Sequence, residues 1–200
     1  PWVLSQPLVG GPVGGAAPSA YAAGIVARRD LARGPEVSPA NETLVQVVGL
    51  EPPGDDATHE ALLSGGPFDD EPPRASVNVL RAFAGAGVQL WGARTLSTDK
   101  WLRFVSVRRT LTAIELRMKA ALDELVFEPN TPILWLQITQ VALGVLLPLF
   151  QSGALRGARP EEAFYVRCDA TLNTRETLAA GRLYVEVGVA IAPAFTTPPA

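Results

Sequence analysis

The chain has little of what enzymes and secreted scaffolds are built from. Among 200 residues there is one cysteine, one histidine and one methionine. Cys168 alone allows neither an intrachain disulfide nor a cysteine zinc site, which fits a reducing compartment. His59 lies far in sequence from Cys168 and from any serine in a strand-turn-helix context, so neither a Ser/His/Asp nor a Cys/His arrangement is legible, and no G-x-S-x-G occurs. "GGPVGG" lacks the Lys-Ser/Thr of a phosphate loop. Basic excess is missing too: net charge is −3 and the pI about 5.2, so nucleic acid is not the expected partner. No internal repeat is visible. These absences leave no catalytic, metal or cofactor-binding residue to nominate.

What is present is apolar and punctuated. Hydrophobic residues make up 48% and charged residues 18%, enough for a sizeable core. The chain opens at Pro1 rather than Met, and the expectation is a piece of a longer protein. The Pro/Gly-rich start predicts an extended segment leading to an N-cap at Ser19 and the short helix "AYAAGIVARRD", followed by a brief strand around Leu44 to Val48. Residues 51–75 carry seven carboxylates against Arg74, with five prolines, and predict a solvated, flexible connection; Asp69, Asp70 and Glu71 lack the loop spacing of a calcium site.

From residue 76 the pattern tightens. "SVNVLRAFAGAG" reads as a helix ended by glycine and "VQLWGA" as a buried strand. Val107, Leu111, Ile114, Met118, Leu122 and Leu125 form one helical stripe of about six turns. Asn130 and Thr131 can cap a second helix, Ile133 to about Gln151, with Pro132 in its first turn. Its eighteen uncharged residues, 133–150, reach the length of a membrane span, but Gln137, Thr139, Gln140 and Pro148 interrupt it and no basic cluster flanks one side, so a fully buried core helix is expected. "FYVR" at 164–167 predicts a strand, Asn173 with Glu176 a capping box, and Leu183, Val185, Val187, Val189 and Ile191 one face of a long final strand. Trp91, Ile114, Leu122, Trp135 and Leu143 are expected in the core.

One feature resists a purely structural reading. Arg103, Arg108 and Arg109 stand at the start of the long helix and Asp123 and Glu124 at its end, the reverse of what the macrodipole favours. That order suits ends facing oppositely charged partners in a repeating contact between copies.

The blocks "PSAYAAGIVARRDLARGPEVSPAN", "SVNVLRAFAGAGVQLWGARTLS", "VSVRRTLTAIE", "LVFEPNTPILW", "GALRGARPEEAFYVRCDATLNT" and "GRLYVEVGVAIAPAF" follow one another in an order that resembles the C-terminal half of contractile tail sheath proteins. These occur in phage tails, R-type bacteriocins and phage-tail-like contractile injection systems. Two departures stand out: the N-terminal half is absent, and "PAFTTPPA" replaces the usual Pro-Ala-Glu-Phe ending. The resemblance implies an α+β inner domain over residues 1–192, with a small mixed β-sheet packed by two long helices. Residues 193–200 would be the remnant of an arm. It further implies a non-enzymatic subunit that stacks into hexameric rings around an inner tube and contracts to drive that tube through an envelope. Partners would be neighbouring copies, the inner tube protein, and baseplate and tail terminator proteins, with no cofactor, nucleic acid or membrane insertion. The subunit would assemble in the bacterial cytoplasm and end in a virion tail or tail-like particle. Leu183, Val185, Val187, Val189 and Ile191 are then the expected intersubunit strand; Arg103, Arg108, Arg109, Asp123 and Glu124 the intersubunit charges; and Asn173, Arg175 and Glu176 the tube contact. A baseplate-proximal or cap subunit, or an enzyme whose site lies outside this sequence, are the alternatives.

Overall fold

The computed structural model describes residues 2–5, 14–51, 57, 62, 76–99 and 101–192. They fall into two compact units, one ending at Arg109 and the other spanning Thr110–Ala192. The acidic stretch 52–75 lies outside the described residues except for Ala57 and Leu62, as does 193–200.

The first unit begins with strands β1 (Trp2–Ser5) and β2 (Gly14–Ala16), then helix α1 (Pro18–Arg33), β3 (Glu42–Thr43), β4 (Val47–Glu51), β5 (Val79–Phe83) and β6 (Gly87–Trp91). Two three-stranded antiparallel sheets result, ordered β2-β1-β4 and β3-β6-β5. Helix α1 is longer than the sequence suggested and starts one residue earlier than the expected cap: Ala17 is the N-cap and Pro18 fills the first turn, where its missing N–H costs nothing. The stretch read as a helix over "SVNVLRAFAGAG" is instead the first strand and turn of a hairpin. Gly85 and Gly87 adopt φ of 77° and 76°, the left-handed values a tight hairpin needs and glycine supplies. Period-two burial of Val88 and Leu90 in β6, with Leu80 of β5, then builds a core with Ile25 of α1 and Leu44.

In the second unit the stripe reading holds. Helix α2 (Val105–Leu122) opens in the first unit and buries Ile114 and Met118 in the second, before a 3₁₀ turn at Asp123–Leu125. Helix α3 (Pro132–Gln151) is capped by Thr131, whose hydroxyl accepts from Leu134 N at 3.4 Å. Replacing Thr131 by alanine is expected to cost about 1 kcal/mol, read by urea denaturation of the variant beside the parent chain. The helix ends on Gly153 at φ 79°, with Gly153 N donating to Phe150 O and Ala154 N to Leu149 O, the paired bonds of a Schellman stop.

Helix α3 is not buried all round, as its uncharged sequence suggested. Leu134, Ile138, Ala142, Leu146 and Leu149 form one buried stripe, while Ile133, Leu136 and Leu147 face outward. By length and composition it could still cross a membrane, but its inward stripe is occupied by protein. Of the other residues expected in the core, Ile114 is buried, whereas Trp91, Leu122, Trp135 and Leu143 are half-buried. The part-buried indole N–H of Trp135 is satisfied by donating to Asn130 Oδ1 at 2.7 Å.

Short helix α4 (Pro160–Ala163) leads into β7 (Phe164–Arg167), followed by α5 (Arg175–Ala179) and β8 (Glu186–Val189). The fold is thus α+β as expected, and among the described residues its strands form three small antiparallel sheets where one small mixed sheet was expected.

Candidate assembly surfaces

The last sheet has only two strands among the described residues, β7 and β8, paired antiparallel with Phe164 opposite Val189 and Arg167 opposite Glu186. Ala190 N donates to Ala163 O, which fixes the phase of the ladder: Glu186, Gly188 and Ala190 turn their backbone groups toward β7. Just beyond, Ala190 O and Ala192 N bond Arg156 N and Ala154 O on that same edge. Val187 and Val189 consequently turn their N–H and C=O to the opposite edge, where no described residue meets them. Their side chains pack toward the core with Val166 and Ile191.

The strand is shorter than its alternating sequence. Leu183 and Val185, expected within it, precede Glu186 and belong to no ladder. Asn173 explains why. Its Oδ1 accepts from Tyr184 N at 2.7 Å and its Nδ2 donates to Tyr184 O at 3.0 Å, so a side-chain amide occupies the place a neighbouring strand would take. A second clamp of the same form stands in the first unit, where Asn78 Oδ1 accepts from Arg94 N at 2.8 Å and Nδ2 donates to Arg94 O at 2.7 Å. Asn173 is 2% exposed and its amide is used internally, so it does not share the surface of Arg175 and Glu176, both exposed on α5. Nor does it cap that helix: Thr174 is the N-cap, accepting from Thr177 N. The stop at Gly181 is as expected, with φ 65° and Arg182 N donating to Thr177 O.

The outer face of the sheet is polar. Tyr165 Oη donates to Glu186 Oε1 at 2.7 Å and Arg167 Nη2 to Glu186 Oε2 at 2.5 Å. The tyrosine hydroxyl first, then the guanidinium, hold the Glu186 carboxyl below the usual carboxylate range. The Tyr165 ring lies over Gly188, where any Cβ would collide with it.

The structure separates the expected charge contacts. Arg109 is paired with Asp30 within the first unit, part-buried, so it is a structural tie rather than a charge presented outward. Arg103 precedes α2 rather than opening it, and its carbonyl accepts from Thr95 N at 2.7 Å. Arg108 is exposed on α2, and Asp123 and Glu124 are exposed on the 3₁₀ turn. The Cys168 thiol is pushed up by burial, against a nucleophilic role. Among the described residues no three His, Cys, Asp or Glu side chains gather as metal ligands.

No protein-family model matches the chain. The tail sheath protein of Burkholderia phage BcepMu is 31% identical over 186 residues, an alignment covering 88% of this chain and 35% of that protein. A chain of the anti-feeding prophage helical sheath in its contracted state superposes over all of this chain, with a TM-score of 0.83 and 28% identity. The chain belongs to the contractile tail sheath family. A chain from the anti-feeding prophage baseplate, six-fold symmetrised, is equally similar, with a TM-score of 0.85 and 32% identity. This sheath chain spans about half the length of those solved chains, 53% and 52% respectively.

Proposed function

We propose that this chain is the part of a contractile sheath subunit that joins copies to one another, in six-membered rings stacked around an inner tube which the contracting sheath drives through a target envelope. The observation that carries the reading is the open edge of β8. Val187 and Val189 offer backbone donors and acceptors in strand geometry, and an extended arm of a neighbouring subunit can complete them. Main-chain bonds of this kind tolerate a change of packing angle between subunits, so the lattice can shorten without coming apart. The extended lattice holds its free energy as a metastable packing and releases it on rotation into a tighter one, with no cofactor and no covalent chemistry. Arg103 and Arg108 of one copy would meet Asp123 and Glu124 of another, while Arg109, committed to Asp30, takes no part.

Arg175 and Glu176, exposed on α5, are the proposed contact with the tube. Exposed charges give an attraction that salt screens and that contraction can break. Baseplate and terminator proteins would close the two ends, and assembly would take place in the bacterial cytoplasm before the particle matures. The likeness to a baseplate chain favours one second reading, a sheath subunit stationed next to the baseplate.

Co-expression of the full-length protein with its tube protein tests both. Electron micrographs are expected to show cylinders with stacked rings; monomers or closed two-fold dimers would rule the reading out, and short collars would favour the baseplate-proximal one. Arg175→Glu is expected to leave rings intact while most of the tube is lost from the sheath at moderate salt. Unchanged co-purification would remove α5 from the tube surface.

A further inference from the structure

The β7–β8 ladder ends with Arg167 opposite Glu186, yet its next rung has a substitute. Two residues further on, the same register sets Asp169 opposite Tyr184. The Asn173 amide stands between them: Nδ2 donates to Asp169 O at 3.3 Å and to Tyr184 O at 3.0 Å, and Oδ1 accepts from Tyr184 N at 2.7 Å. A buried side chain, 2% exposed, thus bridges the place where the two strands diverge. The amide is itself held. Asn173 N donates to Asp169 O at 2.9 Å, and Asp169 Oδ1 accepts from Thr171 N at 2.9 Å and Leu172 N at 3.2 Å, closing the turn that aims Asn173 back at Tyr184.

What the amide fixes is the direction of the next residue. In an extended chain the N–H and C=O of one residue point to one side and those of its neighbour to the other. Tyr184 turns both groups to Asn173, on the β7 side, and Glu186 turns both to Arg167 on that same side. Val185, between them, therefore turns its N–H and C=O the other way, in line with Val187 and Val189. The side chains agree, since Tyr184 is exposed and Val185 half-buried, the alternation an extended chain requires.

We infer that Asn173 is a positioning residue of the intersubunit joint: by holding Tyr184 as a strand partner would, it carries the joint one residue past β8, so that a neighbour's strand bonds Val185 as well as Val187 and Val189. Resting on the reading of β8 as the joint, this assigns the residue that sets where the joint begins. The turn at Asp169 is then part of the same device, because it fixes the amide before any neighbour arrives.

Amide hydrogen exchange of the full-length protein, read residue by residue before and after assembly, tests it. Exchange at Val185, Val187 and Val189 is expected to slow about tenfold or more on assembly, while Tyr184, Glu186 and Gly188, whose N–H groups bond within the chain, change little. If Val187 and Val189 slow but Val185 does not, or if Val185 is already slow in the free subunit, the added residue is overturned and the β8 joint stands. If none of the three slows, both fail. Asn173→Asp keeps the acceptor for Tyr184 N and loses the donor to Tyr184 O. Its particles are expected to lose the slowing at Val185 and keep it at Val187 and Val189. Equal loss at all three residues, or loss at none, would overturn the positioning role.

Discussion

Val189→Pro is expected to abolish assembly while leaving the subunit folded. Proline lacks the backbone N–H and is tolerated in a strand only where that group faces away from the ladder. The bond from Ala190 N to Ala163 O sets that phase: the Val189 N–H points to the open edge, so its removal costs the β7–β8 pair nothing and denies a neighbour's strand one of its anchors. Gly188→Pro is the contrasting variant. The Gly188 N–H faces Tyr165 across the ladder, so its loss breaks the pair and damages the fold. Circular dichroism melts should show Val189→Pro close to the parent and Gly188→Pro lowered. Sedimentation should show Val189→Pro as a single species at concentrations where the parent forms particles. If Val189→Pro sediments like the parent, the open edge is not the joint.

The largest loss of stability is expected from Asn173→Ala. The substitution removes both partners of Tyr184 and leaves a backbone N–H and a C=O of a part-buried segment without their bonds. At about 1–3 kcal/mol for each orphaned group, the cost is about 2–6 kcal/mol. Asn173→Asp keeps the acceptor for Tyr184 N but loses the donor to Tyr184 O, so it should fall between the two. Urea denaturation of the three chains measures the series, and a loss below about 1 kcal/mol for alanine would mean that water replaces the amide without penalty. Because the clamp fixes the approach to β8, hydrogen exchange at Glu186 to Val189 should quicken in the alanine variant under native conditions.

The elements legible in the sequence were those whose signal is local. The stripe from Val107 to Leu125 marked α2, Thr131 with Pro132 marked the start of α3, and "FYVR" marked β7. The hairpin was lost because an Ala-Gly-Ala-Gly run serves equally as a helix stop or as a turn. Only pairing with β3, far along the chain, decides between them. The final strand was overextended for a related reason. Alternation through Leu183 and Val185 is the right pattern, but the partner of Tyr184 is a side chain, and no periodicity reports that. Arg109 looked like a surface charge because its partner, Asp30, lies 79 positions away. Asn78 and Asn173 carried no warning at all, since asparagine before a strand or turn is ordinarily a local capping residue.

An unsatisfied strand edge is also a hazard, since any extended peptide can seize it before the proper neighbour arrives. Two things limit the danger here. The edge is only four residues long and contains Gly188, which gives a passing segment little to grip. On the outer face Tyr165, Glu186 and Arg167 form a charged, hydrogen-bonded cover, so a stray strand meets no greasy surface on which to spread. If the β8 edge is the joint we propose, its shortness makes it discriminate by geometry: a strand delivered in register by a docked neighbour would be kept, and a stray one would find too little to hold.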